Sequence, residues 1–129
     1  MRLRAVAETI RRVRPTVLIV DDHEDYRRSA SALLESEGFA VVGEAADGAA
    51  AIEAAERLRP AVVLLDIQLP DIDGLRLAER LAATPDPPSV VLISSREAAA
   101  YGSRLDAVPA RGFIAKRELS GAALAALVT

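Results

Sequence analysis

Two apolar runs that each end in acid constrain this chain more than any other feature. Residues 61–65 are apolar without alternation, the pattern of a strand buried on both faces of a parallel sheet, and the run ends at Asp66 within AVVLLDIQLPDIDG, residues 61–74. The stretch TVLIVDDHED, residues 16–25, repeats the arrangement and ends in adjacent Asp21 and Asp22. A carboxylate at the C-terminal end of a buried parallel strand faces the crevice where open α/β sheets place their chemistry. Alone, such an acid could equally cap a βα turn. If the two strands lie side by side, however, three carboxylates meet at one edge, and clustered anions repel unless a cation is bound. Oxygen ligands suit a hard divalent ion, and Mg²⁺ fits a site of few carboxylates completed by water and phosphate oxygen.

The rest of the chain alternates between strand and helix patterns. Strands are expected at 16–20, 40–44, 61–66, 90–93 and 112–115. A first helix is expected at 24–37, with Leu33 and Leu34 facing the core and Gly38 as its stop. A second, mostly alanine, follows Asp47-Gly48 and ends before Pro60. A third covers 73–83, a weaker fourth 97–108 with Gly102 inside it and Pro109 after it, and a fifth runs from Glu118 to the end. Five βα units with short loops make an α/β fold, a doubly wound five-stranded parallel sheet covered by helices on both faces. For the acids of strands one and three to share an ion, those strands must be neighbours. Right-handed crossovers then give the order 2-1-3-4-5.

That order also occurs in flavin-binding proteins, but a phosphate cradle needs glycines and free N–H groups in the first loop. Here the loop reads Asp21-Asp22-His23-Glu24-Asp25, which repels an anion and attracts a metal. No GxGxxG or GxxxxGK[ST] pattern occurs, which removes the dinucleotide and P-loop readings.

The 129 residues, 51% of them hydrophobic, suffice for one domain with a sizeable core. Without cysteine there is no disulfide framework, thiol catalysis or thiolate metal site. No apolar run reaches membrane-spanning length, and Arg2, Arg4 and Glu8 interrupt the place of a signal peptide's apolar core, so a cytoplasmic protein away from membranes is expected. Residues 1–14 hold five Arg and one Glu, a net +4, so the overall −3 leaves −7 on residues 15–129. A domain that acidic is not expected to bind nucleic acid directly. Leu3, Val6, Ile10 and Val13 stand at helical spacing among the arginines. That basic extension reads either as a docking helix or as a solvated tail. His23 reads as a solvated loop residue.

Two more residues join the acids. Lys116, at the end of the fifth strand, is the one lysine beside fifteen arginines. That usage points to a place where a compact ammonium is wanted and a planar guanidinium does not substitute. Ser94 ends the fourth strand and presents a hydroxyl to the same crevice.

Asp21-Asp22, Asp66, Ser94 and Lys116, each at the carboxyl end of a strand, resemble the receiver (CheY-like) domain of bacterial two-component response regulators. VLIVDDHED, VVLLDIQLPDIDG, VVLISS and GFIAKREL occur in the family's order. The DDH loop is similar to receivers that precede a LuxR-type helix-turn-helix domain. The resemblance implies a switch, not an enzyme with turnover of its own, and divides the chain into a basic extension, 1–14, and a receiver, 15–129. It implies Asp66 as phosphoacceptor. Asp22, Asp66 and the Gln68 carbonyl would hold Mg²⁺, with Asp21 acting through metal-bound water. Ser94 would be the switch hydroxyl, Lys116 the phosphate's partner and Phe113 the mobile aromatic. A histidine kinase would supply the phosphoryl group, and a downstream protein or an effector domain would read the surface of the fourth helix, fifth strand and fifth helix. A homodimer stays open. Arg117 stands where the family often has proline, so a trans bond is expected after Lys116. Pro109 replaces a usual glycine. The sequence stops at Thr129, as in a stand-alone receiver or one cut from a longer regulator. A phosphatase-like enzyme and a receiver-shaped module that is never phosphorylated are the alternatives.

Overall fold

Five strands pair in parallel in the order β2-β1-β3-β4-β5 in the computed structural model, which describes residues 14–129. They are β1 (Thr16–Val20), β2 (Ala40–Ala45), β3 (Val62–Asp66), β4 (Ser89–Ser94) and β5 (Gly112–Ala115). The order is the one that a cation shared between β1 and β3 requires. Register does the rest: Val20 pairs with Leu65, so the next residues, Asp21 and Asp66, stand side by side at the carboxyl edge. Across the other neighbours, Asp66 pairs with Ile93 and Ser94 with Ala115.

Alternate residues of each central strand feed two cores. Leu18, Val20, Val63, Leu65, Val90 and Leu92 face α2 (Gly48–Leu58) and α3 (Gly74–Ala82). Val17, Ile19, Val62, Leu64, Val91 and Ile93 face α1 (Glu24–Ser36) and α4 (Gly121–Val128). Both faces being covered explains why these strands read as continuous apolar runs. In α1 Leu34 is buried and Leu33 only half-buried, because adjacent helical residues point 100° apart. The helix stops where Glu37 and Phe39 both donate N–H bonds to the Leu34 carbonyl around Gly38 at φ +101°, a conformation that favours glycine.

The expected fourth helix over 97–108 is not formed. Its place is taken by two 3₁₀ turns, Ala98–Ala100 and Gly102–Arg104, inside the β4–β5 crossover. Tyr101, Arg104, Leu105, Asp106 and Ala107 each donate to a carbonyl three residues back. Gly102 sits at φ +56°, left-handed backbone that no α-helix contains, and Pro109 closes the segment. Among the described residues the fold therefore carries four α-helices on five strands. The last helix is also shorter than the expected run from Glu118. Lys116–Glu118 make a 3₁₀ turn, and α4 begins after Ser120, whose side chain accepts from the Ala123 N–H. The docking helix considered for residues 1–14 lies, apart from Arg14, outside the described residues. Arg14 donates to the carbonyls of Glu35 and Phe39, which ties that point of the chain to the end of α1.

The N-terminus of α2 is capped twice. Asp47 accepts from the Ala50 N–H, and Asp71, from the β3–α3 loop, accepts from the N–H groups of Gly48 and Ala49. The Gly48 bond leads the effects that hold the Asp71 carboxyl below the ordinary aspartate value of 3.8. A depressed folded value means stability that is present above 3.8 and lost as pH falls through the folded value. Asp71→Ala should lower the thermal midpoint at neutral pH, and its difference from the parent should shrink as the melts are repeated below pH 3.8.

Candidate functional site

Three polar side chains are buried at the carboxyl edge of the sheet: Asp21, Asp66 and Ser94. Asp21 is fully buried and Asp66 is 2% exposed. Lys116 Nζ lies 2.5 Å from Asp21 Oδ2 and 3.2 Å from Asp66 Oδ2, so one ammonium bridges the two strand ends. The contact with Asp66 has hydrogen-bond geometry. The closer one with Asp21 is an ion pair, and among the described residues the buried Asp21 Oδ2 has no other polar partner. Asp66 Oδ1 accepts from the Gln68 N–H at 3.0 Å. Gln68 itself is pinned by a bridge to Asp73, the cap of α3.

Burial pushes the Asp66 carboxyl above its usual value. The Gln68 N–H and the Lys116 charge pull back against that, and the Asp21 charge adds to it. For Lys116, burial favours the neutral amine, but the bond to Asp21 and the charges of Asp66 and Asp21 outweigh it and hold the ammonium above its usual value. One half-buried cation thus serves two buried anions, which leaves the edge short of positive charge.

Asp22 and His23 complete the cluster. Asp21, Asp22, His23 and Asp66 each present one ligand atom, all within 4.8 Å of one another. The largely exposed His23 ring places Nδ1 3.1 Å from Asp21 Oδ1 and 3.0 Å from Asp22 Oδ1. It is a member of the acidic loop's bonding, more than the solvated residue expected. Three carboxylates converging beside one ammonium, with ligand atoms this close together, fit a hard divalent cation.

Sequence reasoning missed two tyrosines. Tyr26, on α1, lays its ring 4.8 Å from Lys116 Nζ, a cation–π contact that helps hold the ammonium. Tyr101, in the crossover, is buried and its hydroxyl lies 2.5 Å from Ser94 Oγ. The ring sits against Phe113 with centroids 6.1 Å apart. No spacing in the sequence links either tyrosine to the site, although the chain has only four aromatic residues. The Lys116–Arg117 bond is trans, as expected.

A sequence model of the response regulator receiver domain matches residues 17–128. The chain belongs to that family. It is a receiver domain of two-component signalling. It is 34% identical over 113 residues to the response regulator GacA of Pseudomonas viridiflava, covering 87% of this chain and 51% of that protein. It is 40% identical over 109 residues to a protein-glutamate methylesterase/protein-glutamine glutaminase of Alkalilimnicola ehrlichii, covering 81% of this chain and 28% of that enzyme. Among solved structures, the signal receiver domain of NarL from Mycobacterium tuberculosis superposes with a TM-score of 0.75 at 35% identity, over 88% of this chain and 96% of that one. The receiver spans about half the length of the transcriptional regulators it matches. No described helix is long and apolar enough to cross a membrane.

Gly74 sets the loop that carries the receiver's central acid. A Cβ there would collide with the Asp66 carbonyl and stand 2.6 Å from Ile67 Cα, both backbone atoms that cannot swing aside. Gly74→Ala should destabilise the fold by about 1–3 kcal/mol, the usual cost of overpacking, read as a drop in the urea midpoint at unchanged slope.

Proposed function

We propose that this receiver is a phosphorylation-activated switch in which Asp66 accepts a phosphoryl group in a Mg²⁺-dependent transfer. The observation that carries the reading is the Lys116 ammonium held between two buried carboxylates at one sheet edge. Buried charge of this kind contributes little to stability by itself, whereas in-line transfer to a carboxylate needs cations around the transferring oxygens. Asp66 is the nucleophile. Asp22, Asp66 and the Gln68 backbone carbonyl would hold the metal, with Asp21 acting through its bound water. When bound, the ion neutralises charge on the phosphoryl oxygens. Lys116 pairs with one of those oxygens, and Ser94 turns its hydroxyl toward another.

Residues 15–129 are the switching unit and 1–14 a basic extension. The donor is a sensor histidine kinase or a small acyl phosphate. Output passes through the face formed by the crossover, β5 and α4 to a downstream protein or an attached effector domain, in the cytoplasm and without direct contact to nucleic acid. The receiver has no catalytic turnover on a second substrate. A phosphatase-like role for Asp66 has less support. The position two residues beyond the nucleophile is Gln68 instead of an acid, and a cavity of about 550 Å³ lies at the opposite end of the sheet, beside Thr16, Ala61 and Pro88.

Intact-mass measurement with acetyl phosphate and Mg²⁺ tests the central claim. The parent protein should gain one phosphoryl group, labile to base, and Asp66→Ala should gain none; an unchanged adduct on that variant would falsify the assignment. Lys116→Arg keeps the charge but replaces a point donor with a planar fork. It should take up phosphate yet lose the phosphorylation-dependent change in amide exchange, and a full response would return Lys116 to a surface role.

A further inference from the structure

Within residues 95–110 every side chain is exposed or half-buried except Tyr101. That residue anchors the crossover in the core through Phe113 and through Ser94. The remaining ties are thin. Arg104 pairs with Asp73, and Arg117 with Glu97, in exposed ion pairs of the kind that hold little. Beneath the segment lies a cavity of about 410 Å³ lined by Leu92, Leu105, Val108 and Phe113. Leu105, Val108 and Ala110 add half-buried packing against the same core, so the crossover is a strap with one fully buried side chain and a shallow apolar underside.

That attachment ends on the hydroxyl at the end of β4. Ser94 Oγ accepts from the Arg96 N–H at 3.0 Å and shares a hydrogen with Tyr101 at 2.5 Å. Among the described residues Ser94 makes no hydrogen bond with Asp66. A change of χ1 well that carried Oγ toward Asp66 would take it out of reach of both present partners. Arg96 is exposed and water can replace its lost acceptor. Tyr101 is buried, and an unsatisfied buried hydroxyl is worse than the same group in water.

We propose that Tyr101 is a positioning residue that holds the Ser94 hydroxyl away from Asp66 in the resting receiver. When Ser94 turns to a phosphoryl group, the orphaned Tyr101 hydroxyl leaves its pocket and the crossover loosens. The sensing aromatic of this chain is therefore Tyr101 in the crossover, with Phe113 following into the space its ring releases. The inference rests on the reading of Asp66 as phosphoacceptor. It adds that the resting state is defended by one specific bond, and that the signal is a loss of order over 95–111.

The probe is beryllofluoride with Mg²⁺, titrated calorimetrically into the full chain, with amide exchange followed over 95–111. Wild type should bind and exchange faster in that segment when loaded. Tyr101→Phe keeps the ring against Phe113 and removes only the hydroxyl. It should bind beryllofluoride about three- to tenfold tighter, the worth of one net hydrogen bond, and exchange faster than wild type over 95–111 before any ligand is added. Unchanged affinity and exchange in Tyr101→Phe overturn the proposal. So does a change seen in Tyr101→Leu alone, which would make the residue a packing anchor. If wild type fails to bind beryllofluoride at all, the Asp66 reading itself falls and this inference with it, a result distinct from a Tyr101→Phe variant that binds as wild type does.

Discussion

The site depends on one ammonium placed between two carboxylates that the sheet has removed from water. Taking charge out of water costs several kcal/mol per ion, and a buried pair seldom recovers more than that cost. Lys116 faces two acids, so the balance is worse than for a pair: Asp21 Oδ2 has no other polar partner among the described residues and Asp66 is pushed toward its neutral form. An apolar trio of similar volume would hold these strand ends together at least as well. The arrangement leaves net negative charge at the sheet edge, which a bound cation would complement.

The sheet makes that cost tolerable. β1, β3 and β4 are apolar and buried along nearly their whole length, with two independent cores on either face. Stability is concentrated in the middle of the strands, and the charged residues begin only where the pairing ends. The register carries the geometry: a slip of one residue between β1 and β3 would offset Asp21 from Asp66 and separate the two contacts that Lys116 now makes. The glycine at 74 and the Gln68–Asp73 bridge fix the loop on the far side of Asp66 with backbone contacts, which do not relax as side chains do.

Most of this was legible in the sequence because it follows from local patterns. Uninterrupted apolar runs gave the buried strands, the acids at their ends implied neighbouring β1 and β3, and that adjacency gave the strand order. The strand limits agree to within a residue, and β5 matches over 112–115. The crossover was legible in part. Gly102 and Pro109 marked a weak helix, but three alanines and alternating polar residues still suited one, and only the φ of +56° at Gly102 settles the matter for 3₁₀ turns. Tyr26 and Tyr101 were not legible at all. Each meets its partner across a long or irregular connection, Tyr26 reaching Lys116 ninety residues away, and no spacing rule links such pairs. The same holds for His23, whose ring contacts depend on how the loop turns after Asp22.

The absence of a regular helix between β4 and β5 changes how a signal can leave the site. A helix packed along its length moves as a body, and its displacement is resisted by every turn that touches the sheet. A strap of 3₁₀ turns with one fully buried side chain, Tyr101, and only half-buried packing at Leu105, Val108 and Ala110 has a different response, since releasing the deep contact weakens its hold along the segment. The cavity below it supplies room for repacking without a compensating movement of the sheet. On the inference drawn above, a signal would pass as a change in order over a short surface segment, with the strands remaining where they are. A partner that binds the ordered strap and one that needs the segment free to fold against it would then respond in opposite directions to the same release. The exposed charges at Glu97, Arg104 and Asp106 are what the strap offers to either.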